Sequence, residues 1–235
     1  MTLAKRLEGV FTAPRQVFEA LAEKPVWIDV LVIVLIAVIA TSLLVAPYLQ
    51  KDQLELMRDN VKLRERMGDE AFERMIENME NPSRGRLLVQ SFVTVPLFAF
   101  AVILLQSLFL FVLARLLSTQ GRYVQVLSAF VHASLVDKLL GNAVRAVLAL
   151  TRKSVMQTST NLTILFPKME ATSTAFAVLG QVDFFQLWMF GILAFGLAAV
   201  FKIELKKALF VSYGLWFLKA LVNILMTVIG MSFLR

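Results

Sequence analysis

The chain has 235 residues, of which 58% are hydrophobic and 17% charged, and its mean hydropathy is +0.73. A water-soluble domain carries about a quarter charged residues, so the apolar excess points to a bilayer as the solvent. Cysteine is absent, which excludes disulfides, thiolate nucleophiles and sulfur-ligated metals, and the net charge of +7 reads as basic flanks of apolar spans rather than as a nucleic-acid surface.

Residues 1–25 form an interfacial segment. Thr12 is a suitable N-cap, Pro14 a suitable first-turn residue and Pro25 a stop. Between them Val17, Phe18 and Leu21 share a face, with Arg15, Glu19 and Glu23 elsewhere. That pattern predicts an amphipathic helix lying flat at headgroup level, bracketed by Phe11 and Trp27. A membrane helix needs about 20 mostly apolar residues, and the first candidate runs over 26–49, free of charge after Asp29. It is too long for a signal peptide's apolar region and reads as a retained anchor.

The loop over 50–86 is charged and helical in period. Leu54, Met57 and Val61 recur at three and four residues, as do Phe72, Met75, Ile76 and Met79 after Gly68. Asp69 is expected to cap the second of these helices and Asn81-Pro82 to stop it. The hairpin reads as a surface element, or as a Met-rich face for a partner helix. The second span covers 87–117, long enough to tilt or to kink at Pro96. The third, 123–150, is the most polar, carrying His132, Asp137, Lys138, Asn142 and Arg145. A Ser/Thr-rich loop follows over 151–182; its Asn161-Leu162-Thr163 fits a glycosylation acceptor, relevant only in a eukaryotic lumen. The fourth span covers 183–201 and the fifth 208–234, with Lys219 in its middle. The expected fold is therefore all-α: a polytopic bundle of five transmembrane helices with an N-terminal interfacial helix and an extramembrane helical hairpin, in one membrane domain. An odd number of spans puts the termini on opposite sides. The basic hairpins around Arg115–Arg122 and Lys202–Lys207 favour a cytoplasmic N-terminus, while the basic 50–86 loop counts the other way.

Ionisable residues inside spans are costly and should face inward in pairs, at roughly 2.5–3.5 kcal/mol per unpaired Lys or Asp. Ser134, Lys138, Asn142 and Arg145 share one face of the third span; Ser212, Trp216, Lys219 and Asn223 share one of the fifth. Asp137 and Lys219 lie at depths about 4–5 Å apart, so they are expected to form an intramembrane pair. Lys138, Asn142 and Arg145 then become a candidate anion or lipid-headgroup site, unless Arg145 snorkels to the interface. A proton or ion pathway through His132 and Asp137 is a further alternative, though His132, the chain's single histidine, reads better as a hydrogen-bonded core residue. On the fourth span Gly191, Ala194, Gly196 and Ala198 thin the helix for close packing or self-association, and Asp183 suits its N-terminus.

No phosphate loop, zinc-protease motif or credible nucleophile–base spacing occurs, so neither a catalytic residue, a cofactor nor a metal site is expected.

The opening pattern Phe11, Pro14, Phe18, Leu21, Pro25 and Trp27 is joined by VDFFQLWMFGILAFGLAAVFKIELKKAL, residues 182–209. There Asp183, Phe185, Trp188, Gly191, Gly196, Lys202 and Lys207-Ala208 mark a span and its basic hairpin. In these stretches the chain resembles the Yip family, named for interaction with Ypt/Rab GTPases, and its bacterial-type members in particular. The resemblance implies a five-span plan with the N-terminus cytoplasmic and, in eukaryotic relatives, roles in vesicle trafficking between ER and Golgi. The long charged 50–86 loop departs from the family pattern. The expected function is a non-enzymatic membrane-organising adaptor that binds membrane proteins, itself or anionic lipids, in a bacterial inner membrane or, in a eukaryote, in the ER or Golgi. A small transporter or channel for an anionic solute or lipid is the alternative.

Overall fold

The computed structural model describes residues 1–155, 160–170 and 173–234. Among these there is no β-strand, and five helices are long and apolar enough to cross a membrane. In chain order the helices are α1 (Leu3–Thr12), α2 (Pro14–Glu23), α3 (Ile28–Arg58), α4 (Val61–Met67), α5 (Asp69–Glu80), α6 (Arg84–Val89), α7 (Val95–Arg115), α8 (Tyr123–Ser134), α9 (Asn142–Arg152), α10 (Thr174–Leu179), α11 (Phe184–Phe201) and α12 (Leu205–Leu234). Residues 90–94 link α6 to α7 as a π-helix, and residues 135–141 link α8 to α9 in the same way. The five spans are thus α3, α6–α7, α8–α9, α11 and α12.

Two compact units can be distinguished. The first comprises Met1–Val38, Pro96–Ala143 and Phe184–Lys219. In it α11 packs against α2 and α8, and α1 and α2 pack on each other and on α8. Val17, Phe18 and Leu21 of α2 are buried. The helix is where the sequence puts it, and its apolar face is covered by α8 and α11. Close packing there depends on Gly196, where a Cβ would lie 2.7 Å from Ala129 Cβ and 3.1 Å from the Phe18 ring. Every residue from Val126 to Asp137 is buried, on all sides of its helix. The third span can therefore be the least apolar of the five, because protein, not lipid, surrounds this stretch.

The second unit comprises Ile39–Val95, Val144–Asp183 and Ala220–Arg235. Here α3 continues past the expected end of the first span at residue 49 as far as Arg58, since Leu54 and Met57 extend its period without a breaker. α4 and α5 form the expected hairpin, with the Phe72 and Ile76 side chains of α5 buried. Glu80 of α5 ion-pairs with Arg58 of α3, and Gln50 Nε2 donates to Met79 O at 2.6 Å. Gly68, not Asp69, occupies the N-cap of α5; Asp69 begins the helix and accepts from Arg64 Nε at 2.6 Å. Likewise Ala13 precedes α2, while Thr12 ends α1 and its hydroxyl donates to Glu8 O at 3.1 Å.

A π-turn over 90–94 lies just before Pro96. Proline lacks an N–H and crowds the carbonyl four residues back, and the wider turn relieves both.

Candidate functional site

The ionisable side chains inside the spans fall into separate clusters. In the first unit Arg6 of α1 reaches Asp29 at the start of α3. One guanidinium nitrogen donates to Asp29 Oδ1 at 3.2 Å, and the other forms an ion pair with Oδ2. The same Nη1 lies 3.2 Å from His132 Nε2 on α8, and His132 Nδ1 lies 2.8 Å from Ser128 O. An arginine can only donate and a carbonyl can only accept. His132 is therefore the neutral tautomer with its proton on Nδ1 and a lone pair on Nε2. Arg6 is 6% and His132 0% exposed, and the Arg6 Nε is buried without a partner. This network answers what His132 does. The sequence signal for it was the solitary Asp29 at the head of a charge-free span; nothing in the spacing pointed to Arg6.

Asp137 and Lys138 lie in the π-turn of the third span, with Lys138 Nζ 2.9 Å from Asp137 Oδ2. Asp137 is 2% exposed. Lys219 of α12 donates to Gln186 Oε1 of α11 at 2.6 Å. Neutralisation of Lys138 by the adjacent carboxylate was missed because i,i+1 residues point apart on a regular helix; here the pair falls inside the π-turn.

In the second unit Arg145 binds Asp183, with Nη2 to Oδ1 at 2.8 Å. Its Nε donates to Thr160 Oγ1 at 3.0 Å, and the Thr160 hydroxyl donates to Asp183 Oδ2. Asp183 is 4% exposed. Asn161 and Asp183 also form an antiparallel bridge, with Leu162 N donating to Val182 O at 3.1 Å. The polar loop is thus tied to the residue that precedes α11. Asn161 caps a short 3-10 turn over Leu162–Leu165 by accepting from Thr163 N at 3.1 Å. Asn142 opens α9, half-buried.

The small residues of α11 have different neighbours. Gly196 faces Ala129 and Phe18, Gly191 faces the Tyr213 hydroxyl, Ala194 is fully buried, and Ala198 lines an open groove. Residues of the two motif stretches meet in the first unit: Phe11 packs edge-on against Trp188 at 6.1 Å, and Phe18 lies against the Gly196 position. Pro14 starts α2, Phe185 is buried beside Phe184, and Pro25 and Trp27 are half-buried at the entry to α3. Among the described residues no group of three or more His, Cys, Asp or Glu could hold a metal ion.

The family model described as the Yip1 domain matches residues 9–227. The chain belongs to the Yip1 family. No curated protein and no solved structure matches it. The Yip1 match starts after Arg6. The rest of the Arg6 network, both motif stretches and all five spans, lies inside the match except for the end of α12.

Proposed function

We propose that this Yip1-family membrane protein is a non-enzymatic adaptor that organises its membrane by holding other membrane proteins, a second copy of itself or anionic lipids. The observation that carries this reading is how the charges inside the spans are matched. Arg6 meets Asp29, Lys138 meets Asp137 and Arg145 meets Asp183, a pattern suited to a rigid scaffold. Large apolar side chains on α12 point outward, Phe210 at 81%, Phe217 at 64% and Met226 at 66% exposure. Such faces suit lipid or the apolar face of a membrane partner. The anionic-lipid half of the proposal rests on Lys138, Asn142 and Arg145, where a headgroup phosphate would share the two cations with Asp137 and Asp183; the Lys138 side chain is 39% exposed. Asp137 and Lys219 are proposed to couple across the bundle as well. Placement in a bacterial inner membrane with a cytoplasmic N-terminus belongs to the same reading, on the basic turns after α7 and α11.

The test is reconstitution of the full chain in vesicles, with a photo-crosslinker on α12 and an assay of anionic solute flux. A discrete crosslinked protein or self-crosslink and a co-purifying anionic lipid, without flux, are expected. Saturable, substrate-dependent flux would instead establish a transporter.

A further inference from the structure

One end of the first unit brings together the end of α2, the turn between α7 and α8, and the turn between α11 and α12. Ser118 Oγ donates to Phe201 O at 2.8 Å, and Gln125 Nε2 donates to the Ala22 carbonyl. Gly121, with φ +85°, presses so close to α11 that a Cβ would sit 2.8 Å from Val200 Cγ1. Only glycine tolerates both the conformation and the approach. Between these elements lies an open groove of about 670 Å³, with Glu19 and Glu23 on the α2 side and Arg122 and Lys202 on the turns. An adjoining cavity of about 380 Å³ shares Glu19, Ala198 and Ala199 and is lined further by Phe195, Ile203 and Leu205 together with Arg15 and Glu204. The trough is ionic at one end, and at the other the apolar side chains of Phe195, Ile203 and Leu205 stand beside Arg15 and Glu204.

Its ionic end carries both signs in balance. Among the described residues the Glu23 carboxylate and the Lys202 ammonium meet no hydrogen-bond or ion-pair partner. Arg122 is engaged through its backbone N–H, which donates to Gln125 Oε1 at 2.7 Å. Glu19 accepts from Arg15 Nε at 2.9 Å, which leaves Glu23 as the freer acid. Lys202 closes α11 with φ +52°, and Ile203 N donates to Ala198 O at 3.2 Å. Glycine fills that left-handed position at lower cost.

We propose that this trough seats a glycerophospholipid with a zwitterionic, primary-ammonium headgroup. Arg122 and Lys202 take the phosphate, Glu23 and Glu19 take the ammonium, and the acyl chains leave past Phe195, Ile203 and Leu205. A purely anionic headgroup would meet two carboxylates of its own sign. A quaternary ammonium lacks the N–H groups that a carboxylate accepts. Soluble phosphoethanolamine offers the same charges, and the apolar side chains of Phe195, Ile203 and Leu205 select the lipid over it. The inference goes beyond the proposed function: it adds a seat for a zwitterionic lipid to the anionic-lipid reading of Lys138, Asn142 and Arg145.

The test is native mass spectrometry of the full chain in detergent, offered equimolar phosphatidylethanolamine, phosphatidylcholine and phosphatidylglycerol, with soluble phosphoethanolamine as a separate arm. The parent is expected to retain phosphatidylethanolamine ahead of both others. Lys202→Gly should lower that retention about five-fold while the melting temperature stays within about 3 °C of the parent. Arg122→Gln should lower retention similarly, and Glu23→Gln should erase the preference over phosphatidylglycerol. Equal retention of the three lipids by the parent, unchanged retention in all three variants, or displacement of the lipid by millimolar phosphoethanolamine would each overturn the proposal. Retention of phosphatidylglycerol ahead of the others, unaltered by these variants, overturns the trough and leaves the proposed function standing; a parent that retains no lipid overturns the trough and the lipid-binding reading together.

Discussion

The second and third spans have about the same length but opposite surroundings. In the second span, Gly85–Arg115, 22% of the most apolar stretch is buried within the protein; in the third, Tyr123–Arg152, 72% is. Phe98, Leu105 and Val112 of the second are exposed at 71%, 56% and 54%, whereas Phe130, His132 and Leu135 of the third are 0–1% exposed. The more buried helix is the more polar one. In a membrane an apolar sequence reports contact with lipid, and polarity reports contact with protein, because only protein offers partners for a histidine or an aspartate.

This comparison can be broken most directly by truncating a leucine on each helix. Leu135→Ala removes a side chain packed on all sides and should cost about 3 kcal/mol, read as a lower melting temperature in detergent or lipid. A loss of under about 1 kcal/mol would mean that the third span is loosely held. Next in size is Asp29→Ala, which strands the buried Arg6 guanidinium. Breaking a buried pair costs about 3–5 kcal/mol, reduced here to about 2–3 because the Asp29 side chain is 34% exposed. Arg6→Met combined with Asp29→Leu should recover most of that loss in the same melt. If the double variant is as unstable as Asp29→Ala, the network contributes through more than charge pairing.

A double-mutant cycle on Asp137→Leu and Lys219→Leu sharpens the inner side of the comparison. A coupling of about 1 kcal/mol or more supports contact between the two charges, and additive losses contradict it. The smallest effect is expected at Leu105→Ala on the second span, under about 0.5 kcal/mol, since lipid tails fill the space a protein neighbour would otherwise leave empty. Equal losses at Leu105 and Leu135 would erase the distinction between the two helices.

The spans themselves were legible because membrane thickness imposes a length and lipid imposes a composition; both act along the chain. Helix α2 was legible from Pro14 and its apolar triplet, yet its seat was not. An amphipathic face reads the same whether it meets headgroups or the α8–α11 surface, and the Gly196 gap that admits Phe18 lies far away in sequence. The candidate site was legible in its residue types more than in their partners. Asp183 and Arg145 each stood out singly, but they pair directly from distant places in the chain, and Thr160, which bridges them a second time, lies in a loop without periodicity. Asp29 stands out as the last charge before an apolar run, while Arg6 is one of several basic residues near the N-terminus. Partners supplied by long-range folding leave no spacing to read. The trough beside Lys202 shows the same limit: its six charged residues come from three separated segments, and no spacing in the sequence brings them together.

The absence of cysteine makes one measurement clean: single cysteines placed along the second and third spans, spin-labelled in proteoliposomes and tested against oxygen and a water-soluble relaxant. Labels from position 126 to 137 are expected to be shielded from both agents around the full turn, with labels at 98, 105 and 112 open to oxygen. A stripe of oxygen access, or access of the aqueous relaxant, along 126–137 would contradict the claim that this polar helix crosses the membrane enclosed by its own protein.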